Sequence, residues 1–289
     1  MQSAQRKVVD PLMAKPTAPI ADRVVRLEYR NVTMRFATEG RGALTAIRDV
    51  GFAVRDGEVV SLIGPSGCGK STLLNIGSGL TAPSEGAAFV DGERVQGPNA
   101  HVAFMLQKDL LLPWRTIVEN VMFGVEIQGV PLAERQRRAE NLLASFNLAD
   151  FSGHYPHHLS GGMRQRVALA RTLAVEPHVL LLDEPFSAVD AQTRMVLQRD
   201  LARTLKQSGK TALLITHDLS EAVTMSDRVL VMSQRPGTII DEITIDLPRR
   251  DDPIARRREP KVNDYVARLM DRLDISHAGL DQQPAGDAA

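Results

Sequence analysis

The sequence predicts an α/β fold: a mainly parallel β-sheet covered by helices, with an antiparallel β edge and an inserted all-helical subdomain. Short β-branched apolar runs alternate with helical patterns along the middle of the chain, which is typical of parallel sheets. One such run, Val59 to Ile63, leads into a glycine-rich turn and a helix expected from Lys70. Between Gln107 and Pro177 the spacing is helical throughout, which indicates an all-helical insert in the α/β core.

The individual elements follow from the period of the apolar residues. Runs that are apolar on both faces predict buried strands, whereas alternation of apolar and polar residues predicts a half-exposed antiparallel strand. Buried strands are predicted at Val59 to Ile63, His178 to Leu182, Ala212 to Thr216 and Arg228 to Met232. The alternating strand is predicted at Val25 to Phe36. Helices of the insert are predicted at Ile117 to Gln128, Leu132 to Phe146 and Gly161 to Ala174.

Composition divides the chain into three segments. Residues 1–23 are polar and contain three prolines, so we expect a flexible N-terminal leader. Residues 24–247 are expected to form one folded domain, with the helical subdomain at about 108–177. Residues 248–289 are charged and then rich in Gly, Ala and Gln, so we expect a charged tail in which Asn263 to Leu273 forms a short helix.

The charge and cysteine content argue against several classes of protein. Lys plus Arg equals Asp plus Glu at 35 each, so no strong net field attracts nucleic acid and no nucleic-acid partner is expected. The single cysteine, Cys68, rules out an internal disulfide and fits a reducing, cytosolic setting. No apolar run approaches the roughly 18 to 20 residues that a membrane span requires. A role at a membrane therefore requires another chain as the anchor.

The segment Gly64 to Ser71 (GPSGCGKS) matches the phosphate-binding loop, or P-loop. Its glycines let backbone N–H groups curl around phosphates, and the helix that follows points its positive N-terminus at the same anion. The Lys70 ammonium can reach the outer phosphates, and the Ser71 hydroxyl can bind Mg²⁺. The motif predicts a nucleotide site in a P-loop NTPase (RecA-like) fold, with the Cys68 side chain as filler rather than a redox sensor. Candidate nucleotide ligands here are Gly64, Pro65, Ser66, Gly67, Cys68, Gly69, Lys70, Ser71 and Thr72.

Two acids, Asp183 and Glu184, end a predicted buried strand, which is the position where α/β sheets bind ligands. Asp183 can hold a water of the Mg²⁺ shell, and Glu184 can polarise an attacking water. Alone, such a pair is also consistent with an exposed strand end. After a P-loop, the catalytic interpretation is favoured.

The segment between these motifs carries a family resemblance. Leu159 to Val167 (LSGGMRQRV) resembles the signature of the ABC ATPases, with Met163 where Gln is more usual. The resemblance covers nearly all of residues 25–247 and implies an ATP hydrolase coupled to transmembrane transport. It also implies a head-to-tail homodimer, in which the signature of one copy covers the γ-phosphate on the P-loop of the other. A serine at a helix N-terminus suits a phosphate, so Ser160, Gly161 and Gly162 are candidate nucleotide ligands.

Four further positions match the family pattern. Phe36 resembles the aromatic that stacks on adenine, although a core phenylalanine is the alternative. Gln107 resembles the Q-loop glutamine that contacts Mg²⁺ and the attacking water. Asp190 ends a segment that resembles the D-loop, and His217 resembles the switch histidine that senses the γ-phosphate. The resemblance thus implies Lys70, Gln107, Glu184 and His217 as catalytic residues, and Ser71, Gln107 and Asp183 as Mg²⁺ ligands.

The run Lys108 to Val121, with its Leu-Leu-Pro-Trp and Glu-Asn-Val, resembles the importer subfamily for nitrate, sulfonates and taurine. This resemblance implies a subunit that powers the uptake of a small anion or organic solute through a separate permease. It further implies an extracytoplasmic solute-binding protein as an indirect partner, and a peripheral location at the cytoplasmic face of the plasma membrane. A non-transport ABC ATPase, such as an iron–sulfur assembly ATPase, is the alternative.

Two features near these motifs leave two interpretations each. Trp114, the only tryptophan, is either a plain core aromatic or part of a groove for the permease. His154, His157 and His158 precede the signature and form either an exposed polar turn or a metal site. The polar turn is favoured, because no acid or cysteine accompanies them at a recognisable metal-binding spacing.

Overall fold

The computed structural model describes residues 19–38, 42–187 and 189–278, and over these ranges the chain forms two β-sheets and a set of covering helices. The strands are β1 Val25–Thr38, β2 Gly42–Arg55, β3 Val59–Ile63, β4 Glu85–Val90, β5 Glu93–Arg94, β6 Val102–Met105, β7 Val179–Asp183, β8 Thr211–Ile215, β9 Arg228–Met232 and β10 Ile239–Thr244. The helices are α1 Lys70–Gly77, α2 Ile117–Ile127, α3 Leu132–Ser145, α4 Gly161–Ala174, α5 Ala191–Ser208, α6 Leu219–Met225, α7 Pro253–Arg256 and α8 Lys261–Ala278.

The larger sheet has the strand order β10-β9-β3-β8-β7-β6. Strands β9, β3, β8, β7 and β6 run parallel, and β10 is antiparallel to β9 at the edge. Every residue of β3 and β8 is buried, because helices cover one face of the larger sheet while α1 and the smaller sheet cover the other. This burial explains why the buried strands were recognisable as continuous apolar runs. The four predicted buried strands are confirmed within one residue at each end.

The smaller sheet has the order β2-β1-β4-β5 and is antiparallel throughout. The predicted half-exposed strand is β1, which pairs with β2 on one side and β4 on the other. The expected antiparallel edge is thus a separate sheet, and the main sheet also gains an antiparallel strand, β10. Strand β4 has the sequence EGAAFV, whose low β-branched content gave no strand signal.

The helical subdomain contains α2, α3 and α4, which lie between β6 and β7 in the chain. Its helices begin at the predicted residues and end within one residue of them. Helix α2 begins with a capping box, in which the Thr116 hydroxyl accepts from the Glu119 N–H and the Glu119 carboxylate accepts from the Thr116 N–H. The buried side chains of Val121, Leu143 and Phe146 join the core that continues to one face of the sheet.

The C-terminal segment is more ordered than the tail that the composition predicted. The helix expected at Asn263 to Leu273 extends over Lys261–Ala278 and buries Val262 and Leu269 against β9, β10 and α6. The buried Arg256 guanidinium donates to the carbonyl oxygens of Thr224, Ser226 and Leu247. These contacts attach residues 253–273 to the edge of the domain. The charged composition of the segment gave no sign of this attachment.

Parts of the predicted leader and tail lie outside the described residues, namely 1–18 and 279–289. Of the remaining leader, Ile20–Asp22 forms one short 3₁₀ turn before β1. Within the described ranges, no helix combines the length and the apolar character that a membrane crossing requires.

Glu221 on α6 makes the stability of the domain depend on pH. The carboxyl group is buried beside Asp218 and accepts from Gln198 Nε2 at 3.0 Å. Burial, with the charge of Asp218, raises its pKa from 4.5 to about 7. Because the folded state binds the proton more tightly than the unfolded state, the free energy of unfolding falls as pH rises through this interval.

We therefore predict that Glu221→Gln, which stays neutral, is more stable than the wild type by about 1–3 kcal/mol at pH 8 and by little at pH 5. Urea unfolding at the two pH values measures the difference. The matched control is Glu140→Gln on the exposed face of α3, which should behave as the wild type at both. An equal effect of Glu221→Gln at pH 5 and pH 8 would contradict the prediction.

Candidate active site

The predicted P-loop connects the carboxyl end of β3 to the N-terminus of α1. Its backbone requires glycine, because Gly67 and Gly69 have φ angles of +76° and +108°. A Cβ atom at Gly69 would lie 2.3 Å from the Ile47 Cγ2 atom. The loop therefore lies directly against β2 of the smaller sheet.

Lys70 begins α1 and folds back into the loop. Its Nζ atom donates to the carbonyl oxygens of Gly64 at 2.8 Å and Pro65 at 3.0 Å. Cys68 is a residue of the loop whose side chain is buried, and this burial raises the pKa of its thiol. A buried, protonated thiol is unreactive, which favours the interpretation of its side chain as filler.

A cavity of about 280 Å³ opens above the loop and receives the predicted aromatic residue. Phe36 lies on its wall with 42% of its surface exposed, so the alternative of a core phenylalanine is wrong. The cavity has cationic side chains at Lys70 and Arg235, and a carboxylate at Glu184. Its lining residues are Phe36, Leu44, Ala46, Ser66, Gly67, Gly69, Lys70, Ser71, Thr72, Glu184 and Arg235.

The two acids at the end of β7 differ in environment. Burial raises the pKa of Asp183, while a hydrogen bond with the Ser71 hydroxyl opposes that shift. Glu184 has a φ of +45°, a backbone region that non-glycine residues rarely adopt. This turn ends the strand and directs the Glu184 carboxylate into the cavity, whereas Asp183 stays beside Ser71.

Gln107 and His217 lie on either side of the Glu184 carboxylate. Gln107 Nε2 donates to Glu184 Oε2 at 3.0 Å, and His217 Nδ1 lies 3.4 Å from the same oxygen. Gln107 follows β6 and His217 follows β8, the two strands that flank β7. The parallel sheet therefore brings together three predicted catalytic side chains from distant parts of the sequence.

The predicted signature residues lie apart from this cavity. Ser160 caps α4, and its hydroxyl accepts from the Met163 N–H at 3.3 Å. Ser160 and Gly161 are exposed. Gly162 packs so closely on α5 that a Cβ atom would lie 2.4 Å from Thr193 Cγ2. None of the three lines the phosphate-loop cavity formed by the described residues, so the chain alone does not bring its own signature to its own P-loop.

Asp190 has a local structural role in the structure. Its carboxylate caps α5 by accepting from the N–H groups of Gln192 at 3.1 Å and Thr193 at 3.0 Å. These hydrogen bonds hold the predicted D-loop at the start of the helix that also contacts Gly162. A direct role of Asp190 toward nucleotide stays a prediction.

Arg235 is a cavity residue that the sequence analysis missed. Its Nε and Nη2 atoms donate to the Gly67 carbonyl oxygen at 3.0 and 2.8 Å. Arg235 follows β9, which pairs in parallel with β3, so the loops after both strands are neighbours. An Arg-Pro-Gly turn at the carboxyl end of a predicted buried strand was the available signal.

The fold and the cavity together define a P-loop nucleotide hydrolase. The site combines a glycine-rich phosphate loop after β3, an acid pair at the end of the parallel strand β7, and a glutamine and a histidine beside the second acid. Such a site performs phosphoryl transfer by positioning and electrostatic stabilisation.

Comparisons with known proteins identify the family. The family model for the ABC transporter domain matches residues 47–187. A taurine import ATP-binding protein of Jannaschia sp. is 42% identical over 248 residues, which cover 86% of this chain and 92% of the relative. An aliphatic sulfonates import ATP-binding protein of Burkholderia cenocepacia is 42% identical over 272 residues, which cover 94% and 95%.

Solved structures agree with these relatives. A dimeric ATP-binding cassette in a post-hydrolysis state with ADP and phosphate matches with a TM-score of 0.68 and 31% identity, covering 76% of this chain and 98% of that chain. The chain therefore belongs to the ATP-binding subunits of ABC transporters. The predicted fold class, ATP binding and ATP hydrolysis coupled to transport are confirmed at the level of this family, and these relatives do not favour a non-transport ABC ATPase.

Arg235 provides a test of how the P-loop is supported. We predict that Arg235→Ala weakens ATP binding about three- to tenfold, because the Gly67 carbonyl loses its donor and the cavity loses a cation. Titration with a fluorescent ATP analogue measures the affinity. The control Arg249→Ala removes an exposed arginine that pairs with Glu259 and should leave affinity unchanged. Unaltered binding by Arg235→Ala would show that the loop does not need this contact.

Proposed function

We propose that the chain is the ATP-hydrolysing subunit of an importer for a small anion or organic solute of the nitrate, sulfonate and taurine type. The proposed ATP hydrolysis rests on one observation: Gln107 and His217 contact one oxygen of Glu184 beside the P-loop cavity. The solute class is inferred from the relatives, which are named as taurine and aliphatic sulfonate import proteins.

Glu184 is proposed as the group that polarises the attacking water. Its carboxylate lies at the cavity, where Gln107 Nε2 donates to one oxygen at 3.0 Å and His217 Nδ1 lies 3.4 Å from the same oxygen. In this arrangement the Gln107 amide and the His217 ring restrict the Glu184 rotamer, so that the carboxylate faces the position of the γ-phosphate. Lys70 is proposed to exchange its two loop carbonyls for phosphate oxygens when ATP binds.

The oxygen donors at the end of β7 fit Mg²⁺. The Ser71 hydroxyl and the Asp183 carboxyl are hydrogen-bonded neighbours, and Gln107 uses its amide nitrogen toward Glu184, which leaves its amide oxygen available. Hydroxyl, carboxylate and amide oxygens are the donors that Mg²⁺ prefers. A bound Mg²⁺ would neutralise phosphate charge, and it would also offset the burial that raises the pKa of Asp183.

A homodimer is proposed to complete the site. The exposed N-terminus of α4, with Ser160 and Gly161, has the charge and the donors for a phosphate, yet it lies outside the chain's own nucleotide cavity. Head-to-tail packing of two copies would place this terminus over the γ-phosphate bound by the partner's P-loop. Two solved cassettes to which the chain is similar are described as dimeric.

A permease-docking groove is proposed beside Gln107. A cavity of about 680 Å³ lies there, lined by residues 107–111, by Ser187 and by the first turn and a half of α4. The loop is tied to α4, because Arg164 pairs with Asp109 at 3.0 Å and Arg171 donates to the carbonyl oxygens of Asp109 and Leu110. Motion of a docked segment would therefore reach both Gln107 and the signature helix.

Trp114 follows the groove segment 107–111 by three residues along the chain. Its side chain is 72% exposed, so the alternative of a plain core aromatic is wrong. Exposed Leu110 adds apolar surface at the groove itself. Exposed aromatic and leucine side chains are typical of protein–protein contact sites. The subunit is proposed to sit on a permease at the cytoplasmic face of the plasma membrane, with an extracytoplasmic binding protein delivering the solute to that permease.

The role of Glu184 is tested by Glu184→Gln. We predict that hydrolysis falls about 10²–10⁴-fold while ATP still binds and assembles the dimer, because only the proton-accepting group is lost. Phosphate release measures turnover, and light scattering with and without ATP measures dimer formation. The control Glu176→Gln, at an exposed position before β7, should hydrolyse ATP normally. Normal turnover by Glu184→Gln would exclude Glu184 as the base.

The importer assignment is tested in the complex with permease and binding protein in liposomes. We predict that a taurine- or sulfonate-loaded binding protein stimulates ATP hydrolysis, and that Trp114→Ala reduces this stimulation severalfold without changing hydrolysis by the isolated subunit. The matched control is Ile127→Ala on α2, whose side chain is 73% exposed. Absence of stimulation by each of these solutes would refute the solute class, and equal effects of both variants would refute the docking site.

A further inference from the structure

Asp91, His101 and His178 form a cluster at the amino ends of β6 and β7, the sheet edge opposite the P-loop. Asp91 Oδ2 lies 2.6 Å from His178 Nδ1 and 3.1 Å from His101 Nδ1, and the two Nδ1 atoms are 3.0 Å apart. Three potential ligand atoms from three segments of chain thus converge on one point. Nothing in the proposed catalytic or docking roles uses them.

Regular backbone structure positions all three residues. Asp91 and Gly92 form the two-residue turn between β4 and β5, and the positive φ of each, +52° and +83°, is typical of a tight hairpin. The two histidines precede the paired residues Val102 and Val179 of adjacent parallel strands, and the His178 N–H donates to the His101 carbonyl oxygen at 2.9 Å. A site on such elements needs little reorganisation to bind a ligand.

The short contacts among these three atoms can be hydrogen bonds, but the close approach of the two Nδ1 atoms also suits a shared cation. If both Nδ1 atoms carry protons, both donate to the same carboxylate oxygen and their N–H groups lie side by side at 3.0 Å. A metal ion instead uses all three lone pairs. Zn²⁺ binds imidazole nitrogen and carboxylate oxygen at about 2.0–2.2 Å, which places tetrahedral ligand atoms about 3.3 Å apart. Small side-chain rotations open the observed triangle to that size.

The surrounding charges permit a cation. Arg26 donates to Asp91 Oδ1 at 2.7 Å, which leaves Oδ2 toward the histidines, and Asp56 Oδ1 lies 2.7 Å from Arg26 Nε and offsets its charge. The side chains of His101 and His178 are 53% and 43% exposed, so water can occupy a fourth position.

We propose that Asp91, His101 and His178 bind one divalent transition-metal ion of the Zn²⁺ type, through the carboxylate and two imidazole Nδ1 atoms with water completing the shell. Imidazole ligands select this class of ion over Mg²⁺, which the nucleotide brings. Bound there, the ion joins the β4–β5 hairpin of the smaller sheet to two strands of the larger sheet.

The binding test uses the full 289-residue chain without an affinity tag and without nucleotide. Zn²⁺ is titrated in competition with a chromophoric chelator. We expect one equivalent that binds about tenfold or more weakly in His101→Gln and in His178→Gln. The control His154→Gln/His157→Gln/His158→Gln removes three histidines near the signature and should retain the site. Wild-type affinity in both single variants, or equal loss in the control, would overturn the proposal.

Thermal unfolding gives a second readout. A ligand that binds only the folded state raises Tm, so Zn²⁺ should raise the Tm of the wild type and of the triple control but not that of His101→Gln. His101 is half exposed, and its side chain contacts Asp91 through Nδ1 and the His178 ring through Nδ1 and its own ring, so its replacement is expected to leave the fold intact, which ATP binding by the variant verifies. The same Zn²⁺-dependent rise in His101→Gln would overturn the proposal.

Discussion

The parallel alignment of β9, β3, β8, β7 and β6 is the constraint on which the site depends. Within the described residues, one part of the candidate active site lies at the carboxyl end of each of these strands. These parts are Arg235 after β9, the P-loop after β3, His217 after β8, Asp183 and Glu184 at β7, and Gln107 after β6. Register between neighbouring strands then sets the 3.0–3.4 Å contacts around the Glu184 carboxylate. The central strands β3 and β8 are fully buried, and close packing on both faces limits their displacement.

The helical subdomain connects the carboxyl edge of the parallel strands to the proposed permease-docking groove. Asp109 and Arg164 join the loop after β6 to α4, and the same loop carries exposed Leu110. Gln107 at one end of that loop contacts Glu184, while Ser160 begins α4. A displacement at the proposed groove would therefore act on the Gln107–Glu184 contact and on the N-terminus of α4, the proposed phosphate-binding end, through one packed unit. This coupling needs no long-range pathway, because each link is a direct contact.

The two edges of the main sheet separate two kinds of chemistry. The carboxyl edge offers backbone N–H groups, ammonium and oxygen donors, which suit a nucleotide and Mg²⁺. The amino edge offers imidazole nitrogens with one carboxylate, which suit softer divalent ions. Hairpin β4–β5 reaches the second edge because β4 pairs with β1 in the smaller sheet. That sheet also supplies Phe36, from β1, to the nucleotide cavity, so it contributes to both edges.

Local sequence was sufficient for the buried strands, the three insert helices and the motif residues, because burial and helical periodicity leave direct patterns in residue order. It was insufficient wherever a residue's role depends on a partner distant in the chain. The smaller sheet, the docking of α8 by Val262 and Leu269, and the contact of Arg235 with Gly67 all arise from long-range pairing. The Asp91, His101 and His178 cluster has the same origin, because its members lie on three segments of the chain. The folded sheet brings their potential ligand atoms within about 3 Å of one another, and no spacing in the sequence predicts this approach.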